Sequence, residues 1–328
     1  MSTSTPAAAA SAGDSVPKEA ARVEQPRGRR GRPRGSDRTR SEARLGWMLA
    51  GPAFTVMLLV TAYPILQAFY ESLFSFRLTA PDDRAFVGLK NYAVILTDSV
   101  WWSSFGTTVL ITAVTVAVEL VLGFALAMVM NKAIQSLRGL LRTAILIPYA
   151  IITVVSAFAW QFGFDVNSGF VNGWFGTDGK DWFSQFGSAI TVICLTEIWK
   201  TTPFISLLIL SGLAQVPEDL QEAARVDGAT FWQRLWKVTI PNMKAAILVA
   251  VLFRTLDAFR IFDAVFIMTG GAAGTETLSF GAYRQTISRL EIGLGSAYSV
   301  LLFLSVIIIA YGFIKLFRVD LAQTRGES

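Results

Sequence analysis

The chain contains no histidine and one cysteine, Cys194. Without histidine it has neither the commonest metal ligand nor the commonest general base, so Ser-His-Asp triads and HExxH zinc sites are excluded. A lone cysteine excludes a disulfide framework and any multi-cysteine zinc site. No GxxxxGK[ST] loop occurs, so the chain does not bind ATP in the Walker manner; Gly179-Lys180 lacks the upstream glycine. Charge is also scarce. Only 16% of residues are charged, against roughly 25% in soluble domains. What fills the space is apolar: 53% of the 328 residues are hydrophobic, and the mean hydropathy is +0.49. This composition belongs to a membrane protein.

The net charge of +5 lies at one end. Residues 1–45 hold ten Lys/Arg against five Asp/Glu, and the remainder balances. Residues 1–44 are Ala, Ser, Pro, Gly and Arg with few large apolar groups, so they are expected to form a disordered basic cytoplasmic tail. The tail is too long, and its charge too spread, for a signal peptide. Arg30-Gly31-Arg32-Pro33-Arg34-Gly35 is similar to a minor-groove DNA hook, but a positive-inside anchor against anionic lipid is the favoured reading. Nucleic acid is therefore not an expected partner.

From residue 45 to 320 the expectation is an all-α integral membrane domain. Six segments reach the roughly 20 residues a helix needs to span a bilayer: 46–71, 105–131, 143–164, 187–212, 245–268 and 295–317. Lys/Arg bias places the tail, the loop with Lys132, Arg138 and Arg142, the loop with Arg225, Arg234, Lys237 and Lys244, and the end (321–328) on the cytoplasmic side. Outside, 72–104 is expected to hold a short interfacial helix. Residues 270–294 are expected to form a Gly/Thr/Ser-rich loop.

Charges inside spans are costly and mark function by default. Glu197 and Lys200 sit near the middle of the fourth expected span, and Arg254, Asp257, Arg260 and Asp263 near the middle or end of the fifth. Glu197, Lys200, Thr201 and Phe204 follow i, i+3, i+4, i+7 spacing; Phe253, Leu256, Asp257 and Arg260 repeat it. Each face mixes charged groups with aromatic or apolar ones, which suits a sugar. Pro203 removes a helix bond to the Trp199 carbonyl and offers another acceptor. The competing reading is that Glu197–Lys200 and Asp257–Arg260 are internal ion pairs locking helices together. Arg254 and Asp263 fall away from this face and read as structural. Glu119, alone in the second expected span, reads as a packing or pore-lining group.

The cytoplasmic loop 215–243 is charged and helix-like between two apolar segments. Glu222-Ala223-Ala224-Arg225-Val226 suits a helix, Asp227-Gly228 a turn, and Phe231 to Val238 a second short helix ahead of Pro241. Glu222-Ala223-Ala224, Asp227-Gly228-Ala229 and Ile240-Pro241 resemble the EAA loop of permease subunits of binding-protein-dependent ABC importers; Ile240 stands where that family usually has Leu. Tyr63-Pro64, Phe86-Val87-Gly88-Leu89, Ile147-Pro148, Val216-Pro217 and Thr269-Gly270-Gly271 are similar to the carbohydrate branch, above all to actinobacterial maltose- and trehalose-type permeases.

The resemblance implies a transport subunit that performs no covalent chemistry and needs no cofactor or metal. It implies a second homologous permease, two cytoplasmic ATPase subunits, an extracytoplasmic sugar-binding lipoprotein and a di- or oligosaccharide substrate. The loop would be the ATPase-coupling helix, with Glu222 and Asp227 pairing with the ATPase, Ala223 and Ala224 allowing close approach, and Gly228 making the turn. Sugar contacts would fall on Glu197, Lys200, Thr201, Phe204, Phe253, Leu256 and Asp257. Glu197, Lys200 and Asp257 depart from the largely neutral maltose pattern. Two other classes stay open: a proton-coupled secondary transporter, and a regulatory membrane protein whose tail binds DNA or lipid.

Overall fold

A computed structural model describes residues 37–132, 137–177 and 179–325. The tail expected over 1–44 lies outside the described residues up to 36; from Asp37 the backbone is helical. The described residues up to Leu59 and those from Val60 on fall into two units. The fold is mostly helical, at 77%.

The first helix, α1 (Asp37–Glu71), leads into a two-stranded antiparallel sheet, β1 (Phe74–Arg77) and β2 (Ala80–Phe86). Phe74 pairs with Phe86 and Ser75 with Ala85, and an irregularity precedes the Arg77–Ala80 pair. The sheet corrects the all-α expectation. Its cross-strand pair is aromatic, and the Arg84 guanidinium sits over the rings of Tyr70, Phe74 and Phe76 while pairing with Glu71 at 3.0 Å. Together these contacts hold a ribbon too short to stand alone. The short helix expected within 72–104 follows as α2 (Lys90–Thr97).

Next come α3 (Ser99–Lys132), α4 (Arg138–Ala150), α5 (Thr153–Gly163), α6 (Val171–Phe175) and α7 (Phe186–Leu213). The segment between α7 and α11 holds α8 (Glu218–Val226), α9 (Phe231–Arg234), a π-helical turn over Leu235–Thr239, and α10 (Ile240–Asn242). Then come α11 (Lys244–Ala258), α12 (Asp263–Met268), α13 (Leu278–Tyr283) with a π-helical turn over Arg284–Ser288, and α14 (Ile292–Arg325). The helix α13 replaces part of the loop expected over 270–294.

Among the described residues, four helices are long and apolar enough to cross a membrane: Arg44–Glu71, Ser99–Lys132, Phe186–Leu213 and Ile292–Lys315. They answer to the first, second, fourth and sixth expected spans. The third is not one helix. It is a pair, Gly139–Ala150 and Thr153–Gly163, bent by 84°. Pro148 cannot donate in the last turn of α4, and Ile151 and Ile152 are extended. The fifth is also interrupted, since α11 ends at Ala258 and α12 starts at Asp263. The Ile261 carbonyl left at that break accepts from Thr277 Oγ1 at 3.1 Å.

The centre of the unit is α3 against α7. The buried side of α3 carries Thr108, Thr112, Thr115, Glu119, Gly123 and Ala127, a stripe of mostly small residues that lets two helices approach closely. A Cβ on Gly123 would lie 2.7 Å from Ile205 Cγ2. Below this crossing, Ala127, Ile205, Ile209 and Met243 form one apolar cluster.

Candidate functional site

Two places carry the chemistry: a buried charged cluster where α3, α7 and α11 meet, and the exposed loop between α7 and α11. The cluster is built on Arg254, which is 1% exposed. Its Nε donates to Glu119 Oε2 at 2.6 Å and its Nη2 to Glu119 Oε1 at 3.0 Å. Nη2 also donates to Glu197 Oε2 at 3.3 Å, and Nη1 donates to Asp257 Oδ2 at 2.7 Å. Thr201 Oγ1 lies 2.7 Å from Glu119 Oε1 and 2.6 Å from the Glu197 carbonyl, so its single proton serves one of the two. One guanidinium thus faces three carboxylates from three helices. A bidentate Arg–carboxylate pair is the strongest arrangement available to these groups.

The structure joins some of the sequence-selected residues and separates others. Glu197, Thr201 and Asp257 belong to the cluster. Lys200 does not pair with Glu197; its Nζ donates to the Ile151 carbonyl at 3.0 Å, at the end of α4, where a cation meets the negative end of the helix dipole. Asp257 does not pair with Arg260, whose Nε returns to the Leu256 carbonyl at 3.1 Å. Glu197 and Asp257 do form internal ion pairs, but with Arg254 in place of Lys200 and Arg260. Phe204 stacks on Tyr149, with ring centroids 5.5 Å apart at 19°, and the Lys200 ammonium lies 5.5 Å from the same ring. Phe253, Asp257 and Arg260 are exposed in the isolated chain, and Leu256 is half-buried.

One reading needs correction. Arg254 does not point away from the selected face, since it binds Asp257 one turn on. Glu119, read as a packing or pore-lining group, is the carboxylate that Arg254 binds through two nitrogens. Tyr149 escaped the sequence reading altogether; the signal for it was Ile147-Pro148, which marks the helix break beside it.

The loop is built by local rules. Glu218 and Asp219 open α8 and Arg225 closes it, each sign matching the helix dipole. Ala229 N donates to Ala224 O at 2.9 Å and Gly228 N to Arg225 O at 3.0 Å, the pairing of a Schellman turn. Gly228 takes the left-handed position with φ +76°. Thr230 then caps α9 in a reciprocal capping box with Gln233. Glu222, Ala223, Asp227 and Gly228 are exposed and Ala224 is half-buried. Val226, beside the turn, is 87% exposed. Between the loop and the ends of α3 and α7 lies a cavity of about 500 Å³, lined among others by Lys132, Glu222, Arg225 and Arg234.

Comparison with known proteins fits this arrangement. Residues 119–318 match the family described as the inner membrane component of binding-protein-dependent transport systems. The trehalose transport system permease protein SugA of Mycobacterium tuberculosis is 49% identical over 277 residues, 84% of this chain and 90% of SugA. The trehalose/maltose transport system permease protein MalF of Thermococcus litoralis is 36% identical over 84% of this chain and 95% of its own length. A bacterial ABC transporter involved in import of the acidic polysaccharide alginate shares the fold, with a TM-score of 0.73 at 18% identity, covering 86% of this chain and 98% of that one. The chain belongs to the family of binding-protein-dependent inner-membrane transport components, as a multi-pass permease of the kind found in carbohydrate ABC transporters. It is a transport subunit, and hydrolysis of ATP is the work of another chain.

Proposed function

We propose that this chain is one of two homologous permease subunits of an importer for a trehalose- or maltose-type di- or oligosaccharide, and that loop 215–243 couples it to a separate ATPase. One observation carries the reading. Glu222, Ala223, Asp227 and Gly228 stand exposed on a rigid helix–turn–helix, in a chain 49% identical to a trehalose permease. An exposed apolar Val226 beside acidic Glu222 and Asp227 suits a protein cleft with basic groups better than bulk water.

On this reading the chain crosses the membrane six times with both termini cytoplasmic. The bent pair α4–α5 and the broken segment α11–α12 then serve as the third and fifth crossings. Irregular backbone at membrane depth is tolerated where it lines a cavity or is buried in protein. The sugar passes the face bearing Glu197, Lys200, Thr201, Phe204, Phe253, Leu256, Asp257 and Arg260, which the second permease completes. An extracytoplasmic sugar-binding lipoprotein delivers the sugar; a structural neighbour is the alginate transporter in complex with a periplasmic protein. Residues 1–44 serve as a basic cytoplasmic tail at the lipid surface.

The test is a mild-detergent pull-down of the chain from its native membrane with identification of every co-purifying protein. An ATPase, a second permease and a sugar-binding lipoprotein are expected. Recovery of the chain with nothing that binds ATP would overturn the proposal and leave proton-coupled transport in its place.

A further inference from the structure

We infer that Arg254 is a positioning residue for sugar: it holds the carboxylates of Glu197 and Asp257 in fixed register across α7 and α11 without touching the sugar itself. The inference rests on the substrate face proposed above.

The geometry separates a buried anchor from an open end. Arg254 is 1% exposed and Glu119 is wholly buried, while the Asp257 side chain is 64% exposed. The anchor side uses Nε and Nη2, both bound to Glu119 on α3. The open side uses Nη1, which reaches Asp257 Oδ2. Nη2 is shared with Glu197 on α7. A planar guanidinium bound side-on through two nitrogens cannot rotate, so the direction of its third nitrogen is fixed. Asp257 is therefore held by one oxygen, and among the described residues no donor binds Oδ1. That oxygen is left free to accept on an exposed side chain, where a sugar hydroxyl can bind it. A single hydroxyl donated to a held carboxylate is worth more than one donated to a freely rotating carboxylate, because the rotamer entropy has already been lost.

The arrangement is costly if its only purpose is stability. Burying one arginine among three acidic side chains carries a desolvation penalty, and an apolar replacement of a buried ionic group is often neutral or stabilising. Lysine lacks the planar fork that binds Glu119 side-on, so its ammonium does not fix the direction of the donor that reaches Asp257.

The test uses the full transporter, with the binding protein and the ATPases, trapped with vanadate during turnover and loaded with labelled trehalose. Sugar retained per trapped complex is the readout; it reports site occupancy, whereas a purely structural defect lowers only the number of complexes. Asp257→Asn and Glu197→Gln are expected to cut retained sugar by roughly tenfold or more, the size of a lost charge-assisted hydrogen bond. Arg254→Lys is expected to do the same with the complex still trapped. A double variant, Arg254→Met with Glu119→Gln, removes the anchor pair without stranding Glu119 as a buried charge, and should match Arg254→Lys. If Asp257→Asn and Glu197→Gln lower retention while both Arg254 variants retain sugar as the wild type does, the positioning role is refuted and the substrate face stands. If Asp257→Asn and Glu197→Gln also retain it normally, the substrate face itself is wrong.

Discussion

Replacing Glu119 by alanine should destabilise the protein far more than breaking an ion pair of similar length at the surface. Glu119 Oε2 accepts from Arg254 Nε at 2.6 Å, and both groups are essentially unexposed. Arg77 and Glu291 approach to 2.8 Å, but the Arg77 side chain is 60% exposed. Distance alone ranks the two pairs together; burial separates them. Glu119→Ala removes two charge-assisted hydrogen bonds, and breaking a buried pair typically costs about 3–5 kcal/mol. Glu197 and Asp257 still partner Arg254, and within a membrane the unfolded chain finds other partners, so the low end applies, about 3 kcal/mol. At about 2 °C per kcal/mol for a large chain, the melting temperature should fall by roughly 6 °C. Glu291→Ala should cost at most about 1 kcal/mol, or roughly 2 °C. The assay is thermal unfolding of the detergent-solubilised complex, followed by size-exclusion fluorescence. Equal shifts for the two variants, or a Glu119→Ala protein that melts with the wild type, would refute the argument that burial sets the cost.

Gly123→Val should impair assembly. Its Cβ would sit 2.7 Å from Ile205 Cγ2 and 3.2 Å from the Ser206 nitrogen, and overpacking of this kind costs about 1–3 kcal/mol; yield of folded complex checks it. Gly228→Asp should leave the chain folded and inserted but uncouple it from the ATPase. The turn needs φ +76°, which Asp tolerates better than most residues, and nothing lies within 4 Å of the added Cβ. Normal sugar-stimulated ATP hydrolysis in that variant would remove the coupling assignment. Asp165 makes a pH prediction. The Ser168 amide, the Ser168 hydroxyl and the Asn167 amide bind its carboxylate and hold it below the usual range. Its support of the turn is thus full above the ordinary carboxylate pKa and fades as pH falls through the lowered value. Protection of the Asn167 and Ser168 amides, taken relative to their intrinsic exchange rates, should fall over that acid window, and Asp165→Asn should weaken the dependence.

Local features were legible in the sequence. Four spans followed from apolar length. The helix–turn–helix over 218–234 followed from Asp227-Gly228, because caps and left-handed turns are decided within a few residues. Features decided by distant residues were not legible. The break at 259–262 is completed by Thr277, 16 residues after Ile261. The pairing of Arg254 joins residues 135 and 57 positions away, and periodicity along one helix carries no record of them. The Arg254–Asp257 contact spans only three residues and was within reach. A face running through Phe253, Leu256 and Asp257 leaves Arg254 at its edge, which hides the contact. The strand pair 74–86 was hidden by Pro81-Asp82-Asp83, which resembles a loop, while the aromatic pairing that holds it acts across the ribbon.

On the proposed function, this chain moves a sugar on power supplied by a partner ATPase. The direct measurement is uptake of labelled trehalose into proteoliposomes holding the full complex, with its binding protein outside. ATP inside with no ion gradient is compared with a proton gradient and no ATP. ATP alone should drive accumulation, and collapsing the proton gradient should leave it unchanged. Accumulation that needs the gradient and ignores ATP would contradict the account.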